Sequence, residues 1–144
     1  MNAVAPASLP PRECVLEVDF WRVAHAFGSA LPGWMVIVPR RHIASLSELA
    51  LDEAAALGPL VQRLSAALEF VTGALKCYIV FLAEAPGFQH VHIHVIPRLV
   101  DAPPERIGIG AMEYLALPES EWISHDEMDR ISRAVREKML QISD

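Results

Sequence analysis

The chain has 144 residues, 53% of them hydrophobic and 21% charged, enough apolar material for one domain with a real core and unlike a disordered tail. A net charge of −6 excludes the basic surface that a nucleic-acid polymer or an anionic membrane would need, while leaving room for a local basic pocket that takes a small anion. No apolar run reaches the roughly 20 residues of a spanning helix, and the two cysteines, Cys14 and Cys77, form no CxxC pair. They read as small buried hydrophobes of a reducing compartment. The expectation is a soluble, cytoplasmic protein.

In chain order, "MNAVAPASLPPR" has no basic n-region and is broken by Pro6, Pro10 and Pro11. It reads as a flexible Pro-rich N-terminus over 1–12, with a single domain over 13–144. Residues 14–27 are β-like, and alternation puts Trp21, Val23, His25 and Phe27 on one strand face. "GSALPG" (28–33) is turn chemistry. "WMVIVP" (34–39) is a continuous apolar run, consistent with a buried central strand. The helical segment, 51–71, places Leu57, Leu60, Val61, Leu64, Leu68 and Val71 on one face. Asp52 and Glu53 suit its positive end and Gly73 its C-cap, whereas Gly58-Pro59 predicts a kink or a late start. "KCYIVFLAE" (76–84) predicts a strand, "APGF" a turn, and 89–97 a second strand antiparallel to the first. Residues 99–125 hold three prolines and read as irregular; their "GIG" is too short for a phosphate loop. A closing helix carries the stripe Met128, Ile131, Val135, Met139 and Ile142, with Arg130, Arg133, Arg136 and Lys138 as a solvated face. The order predicts an α+β fold, an antiparallel sheet covered on one side, with a long central helix and a C-terminal helix.

The chemistry concentrates in "FQHVHIHVIPR" (88–98). On a strand His90, His92 and His94 point one way, and Val91, Ile93 and Val95 point the other, into the core. One metal shared by all three is geometrically awkward, since the outer Cα atoms lie roughly 13 Å apart and zinc ligands must close to about 2 Å. A metal would need donors from elsewhere. Catalysis fits better: one imidazole attacks phosphorus while its neighbours, about 6–7 Å away along the strand, hold the charged group. "VIVPRRHIASLSEL" (36–49) ends a buried strand in Arg40, Arg41 and His42, a second half for an anion site.

"HVHIHVI" (90–96) fits the histidine triad pattern, His-x-His-x-His followed by two apolar residues, and "GWMVIVPRRHIASLSEL" (33–49) is similar to the segment preceding it in that family. Together they identify the chain as resembling the histidine triad (HIT) superfamily from about Val15 to Arg98. The resemblance implies a HIT-like fold, commonly a homodimer. The activity implied is hydrolysis or transfer of a nucleoside monophosphate group from a phosphoramidate, a dinucleoside polyphosphate or a related nucleotide. It implies His92 as the nucleophile at the α-phosphorus, His90 and His94 as flanking groups on phosphate and leaving group, and His42 as a supporting histidine. A mononucleotide or dinucleotide is then the small-molecule partner, with no nucleic-acid polymer, no membrane, no cofactor and no metal required.

The departures are local. Ala83 stands where the family often has asparagine, the loop before the triad is shorter, and its usual hydroxyl is missing. Backbone amides around Gly87 are the substitute phosphate contact, and Gln89 adjoins His90. Only Cys14 stands where zinc-containing members have paired N-terminal cysteines. These losses make a catalytically weak nucleotide-binding or regulatory module the alternative function. Phe20, Trp21, Phe27 and Trp34 are the candidates for a base pocket, and His25 and His125 read as ordinary.

Overall fold

The computed structural model describes residues 3–4 and 9–142. Its strands are β1 (Ala3–Val4), β2 (Leu16–Val18), β3 (Trp21–His25), β4 (Met35–Pro39), β5 (Lys76–Val80) and β6 (Ile93–Arg98); its helices are α1 (Leu51–Thr72) and α2 (His125–Gln141). The strands form one antiparallel sheet in the order β1-β2-β3-β4-β6-β5. The α+β fold read from the sequence is the one observed. Of the Pro-rich segment, residues 1–2 and 5–8 lie outside the described residues. Ala3 and Val4 pair with Val18 and Glu17, and Arg12 docks on Asp129 of α2 through backbone and guanidinium, both at 3.0 Å.

Strand alternation sorts the sheet into two faces. Val23, Met35, Ile37, Ile93 and Val95 face α1 and α2, packing with Leu60, Leu64, Leu68, Ile131, Val135 and Met139. Each such side chain contributes about 1.5–3 kcal/mol on burial, so this face carries most of the stability. The sequence reading left the other face bare. Instead Trp34, Ile96, Ala26 and Leu31 are covered there by Ala111 and Tyr114. Both belong to a 3₁₀ stretch, Gly108–Leu115, inside the segment that read as irregular. A three-residue period gives no amphipathic signal at α-helical spacing, so the pattern hides it. The "GIG" is structural: a Cβ on Gly110 would run into the carbonyl oxygen of Glu105.

Helix α1 matches its expected span, and Gly73 closes it in the left-handed region at φ +74°, its N–H reaching the Glu69 carbonyl. The late start that Gly58-Pro59 allowed is not seen: the helix begins at Leu51 and runs through Pro59. Proline removes the bond to the Ala55 carbonyl, but Ala55 and Pro59 are both exposed, on a side of the helix open to solvent.

Two strands are shorter than predicted. β5 stops at Val80 rather than Glu84, and β6 begins at Ile93 rather than Gln89. The β4 ladder to β6 reaches only the Ile37–Ile93 pair, and Pro39 has no N–H to continue it. Strand β3 also ends at His25, so Phe27 leaves the face it was expected to share; it is 82% exposed and meets Trp122 edge-on at 5.9 Å. His25 braces the hairpin: its Nδ1–H donates to the Ala26 carbonyl at 3.1 Å and its Nε2 accepts the Gly33 N–H at 3.0 Å. Burial pushes its pKa down.

Candidate active site

Strand β6 holds His94 between Val36 of β4 and Val80 of β5. Upstream the chain leaves the ladder, yet the buried Val91 donates its N–H to the Ile43 carbonyl at 2.7 Å. That bond pins the histidine segment to the stretch following β4. His42 lies in this stretch, just before a capping box in which Glu48 accepts the N–H groups of Ala44 and Ser45. The result is four imidazoles in a row. Ring centroids are 5.4 Å apart for His42–His90, 5.8 Å for His90–His92 and 5.0 Å for His92–His94.

Hydrogen bonds set the state of two rings. His92 Nδ1 lies 2.9 Å from the His90 carbonyl oxygen. A carbonyl only accepts, so Nδ1 carries a proton, and in the neutral ring the free lone pair is on Nε2. His94 has the opposite arrangement. The indole N–H of the fully buried Trp34 donates to His94 Nδ1 at 3.0 Å. Nδ1 is therefore the acceptor and Nε2 carries the proton. Burial, reinforced by the charge of His92, lowers the His94 pKa to about 4. Burial and the charges of His92 and His42 lower that of His90. A lone pair on the central imidazole beside a neutral N–H donor is an arrangement suited to attack on phosphorus.

The basic residues beside the row are less free than the sequence suggests. Arg41 is gripped by both carboxylate oxygens of Glu53, at 3.1 and 2.9 Å, and by the Glu48 carbonyl. Arg40 meets Glu17 at 3.2 Å. Glu17, Arg22, Val38, Pro39 and Arg40 line a hollow of about 250 Å³. The strand register puts Glu17, Arg22 and Val38 on the His94 face of the sheet. Among the described residues, no three His, Cys, Asp or Glu side chains converge as metal ligands.

Comparison with known proteins places the chain. The family model described as HIT domain matches residues 10–100. The chain belongs to the HIT family. No curated protein matches it. A HIT protein from Bradyrhizobium japonicum is similar in structure with a TM-score of 0.69 at 23% identity, covering 96% of this chain and 99% of that one. One from Sinorhizobium meliloti gives a TM-score of 0.70 at 21% identity, covering 87% of each chain. The diadenosine triphosphate hydrolase of Plasmodium falciparum gives 0.67 at 14% identity, covering 90% of this chain and 78% of its own.

Within this HIT domain the structure brings His42, His90, His92 and His94 together, and it distributes the other residues the sequence named among loop, core and surface. Gly87 and Gln89 sit in an exposed loop, where Gly87 takes φ +81° and the Phe88 N–H closes a turn on Ala85 at 2.9 Å. The strand expected over 89–97 does not include Gln89, because β6 starts four residues later. Base-pocket candidates fare worse. Trp21 is fully buried with its N–H on the Glu53 carbonyl, Phe20 packs against the core, and Phe27 points into solvent. Trp34 is a HIT-site residue by another route, its bond to His94, and nothing in the sequence pattern singles out that contact. The only signal was its place at the head of the strand that pairs with the triad.

Proposed function

We propose that this HIT protein hydrolyses or transfers a nucleoside monophosphate group, cleaving at the α-phosphate of a nucleotide through a nucleotidyl-His92 intermediate. One observation carries the reading: the His90 carbonyl accepts the His92 Nδ1–H at 2.9 Å, which leaves Nε2 as the nitrogen available for attack. Attack by Nε2 builds positive charge on the ring, and the same carbonyl stabilises it. Neutral His94 donates Nε2–H to a phosphate or bridging oxygen, and His42 backs His90 through their ring contact. Amides around Gly87 supply further anion contacts. Water then releases the mononucleotide. The shared fold of the diadenosine triphosphate hydrolase supports a nucleotide substrate.

His92→Asn is expected to lower kcat/KM by at least about a thousandfold while nucleotide binding persists, and wild-type protein quenched in acid should carry a nucleotidyl adduct on His92. An active His92→Asn protein sinks the proposal. The second reading, a nucleotide-binding regulatory module, draws on residues 84–89, all exposed and without a hydroxyl beside the leaving group. Tight mononucleotide binding with no product from any nucleotide substrate would favour it.

A homodimer is part of the proposal. β5 is an edge strand, and Ile79 on it and Leu75 and Leu82 near its two ends are exposed, apolar side chains of the kind that mark an interface. Light scattering should give twice the chain mass for the wild type and the chain mass for Ile79→Lys; a monomeric wild type refutes it.

A further inference from the structure

We infer that this site is built for substrates whose leaving group departs as a stable anion, that is, a phosphoanhydride such as a dinucleoside polyphosphate. It discriminates against phosphoramidates because Trp34 locks His94 as a hydrogen-bond donor that cannot supply a proton. The inference rests on the proposed reading of His92 as the nucleophile.

Trp34 stands perpendicular to His94, their ring centroids 5.5 Å apart at 89°, and its N–H occupies His94 Nδ1 at 3.0 Å. Both residues are buried, so water does not compete for that bond. The His94 proton therefore sits on Nε2. Giving it away would leave an imidazolate, unless Nδ1 gained a proton at the same moment. An indole N–H is far too weak an acid to provide one. Trp34 thus acts as a positioning residue: it fixes the ring and its tautomer, and it restricts His94 to donating a hydrogen bond. His90, the other ring beside His92, is held below its ordinary pKa by burial first and then by the charges of His92 and His42.

The consequence follows from where electrons go. Nε2 of His92 bonds to the α-phosphorus while the bond to the bridging oxygen breaks, and the electron pair stays on that oxygen. In an anhydride it leaves as a phosphate anion and needs no proton. In a phosphoramidate the pair would remain on nitrogen, and an amide anion cannot form in water without protonation. Water next attacks the nucleotidyl phosphorus, the P–N electron pair returns to Nε2, and the proton of water passes to solvent.

The test compares leaving groups on one nucleoside. Wild-type protein is assayed on adenosine 5′-monophosphate esters of phenols of graded acidity, on diadenosine polyphosphates and on adenosine 5′-phosphoramidate. The expected result is a kcat/KM that falls steeply as the phenol becomes less acidic. The anhydride should outrun the phosphoramidate by about a hundredfold or more, the usual contribution of a positioned acid. Trp34→Phe should narrow that gap about tenfold, and ring-nitrogen NMR should show the Nε2–H tautomer of His94 in wild type and its loss in the variant. Should Trp34→Phe fail to fold, the wild-type series and spectrum decide alone. A phosphoramidate cleaved as fast as the anhydride through His92, with a flat phenol series, overturns the inference and leaves the nucleophile intact. Turnover of neither class, with His92→Asn indistinguishable from wild type, overturns the hydrolase reading and the inference with it.

Discussion

Ala83 is the one non-glycine residue of positive φ among the described residues, at +54°. It stands where the chain leaves β5 for the triad loop, at the position where the HIT resemblance leads one to expect asparagine. Asparagine tolerates the left-handed region, whereas a Cβ with no polar arm costs about 1–2 kcal/mol there. Ala83→Gly removes that cost and adds back roughly 0.5–1 kcal/mol of unfolded-chain entropy. The variant is expected to be neutral or up to about 1 kcal/mol more stable, while Ala55→Gly on the exposed face of α1 should lose about 1 kcal/mol. Urea midpoints of the two proteins check the contrast, and equal losses would remove the claim of strain. The same loop shows how far single residues could be read. His42, His90, His92 and His94 were legible because their spacing is itself the signal. The Trp34–His94 bond joins residues 60 positions apart, and no local pattern encodes it.

At the scale of elements, the period of the apolar residues served well wherever one face was buried against helices. α1 and α2 appear within a residue or two of their expected spans for that reason. It also held at Pro59, where proline chemistry allows a late start and tertiary packing keeps the helix continuous. Leu60, Leu64 and Leu68 are buried beyond the proline, and their anchorage outweighs one lost hydrogen bond on the wet side. Pro59→Ala should therefore restore the bond to Ala55. A helix-interior proline costs about 3 kcal/mol relative to alanine, less the roughly 0.4–1 kcal/mol by which it restrains the unfolded chain. A gain of about 2 kcal/mol is expected as a raised urea midpoint; a loss would mean the proline is already accommodated without cost. The strand ends, by contrast, were misread. A β pattern continues in side-chain alternation after the partner strand has run out, so β6 looked four residues longer than its ladder allows.

For the molecule as a whole, His25, His90 and His94 are all held below the ordinary histidine pKa, by burial first in each case, and His94 reaches about 4. The unfolded chain, titrating near 6.5, thus binds more protons than the native one at mildly acid pH. Their contribution to stability is complete above about pH 6.5 and is lost as the pH falls toward 4. Glu53 and Glu127, lowered by Arg41 and Arg130, lose theirs only below the ordinary carboxylate range. The melting temperature should accordingly drop by about 5 °C or more between pH 7 and pH 5. A melting temperature constant across that range would show these imidazoles to be accessible and unshifted.

By itself the sequence determined the fold class, the two helices, the triad and the companion histidine, because each is written in local spacing: a period of 3.6, a period of two, or a fixed motif. Tertiary structure alone decided the hydrogen-bond roles of the His92 and His94 rings, since those depend on a carbonyl and an indole brought up by the chain's path. It also decided that the second face of the sheet is covered, and that the arginines beside the row are largely matched by Glu17 and Glu53. Partners of that kind are set by packing between distant segments, where spacing along the chain carries no information.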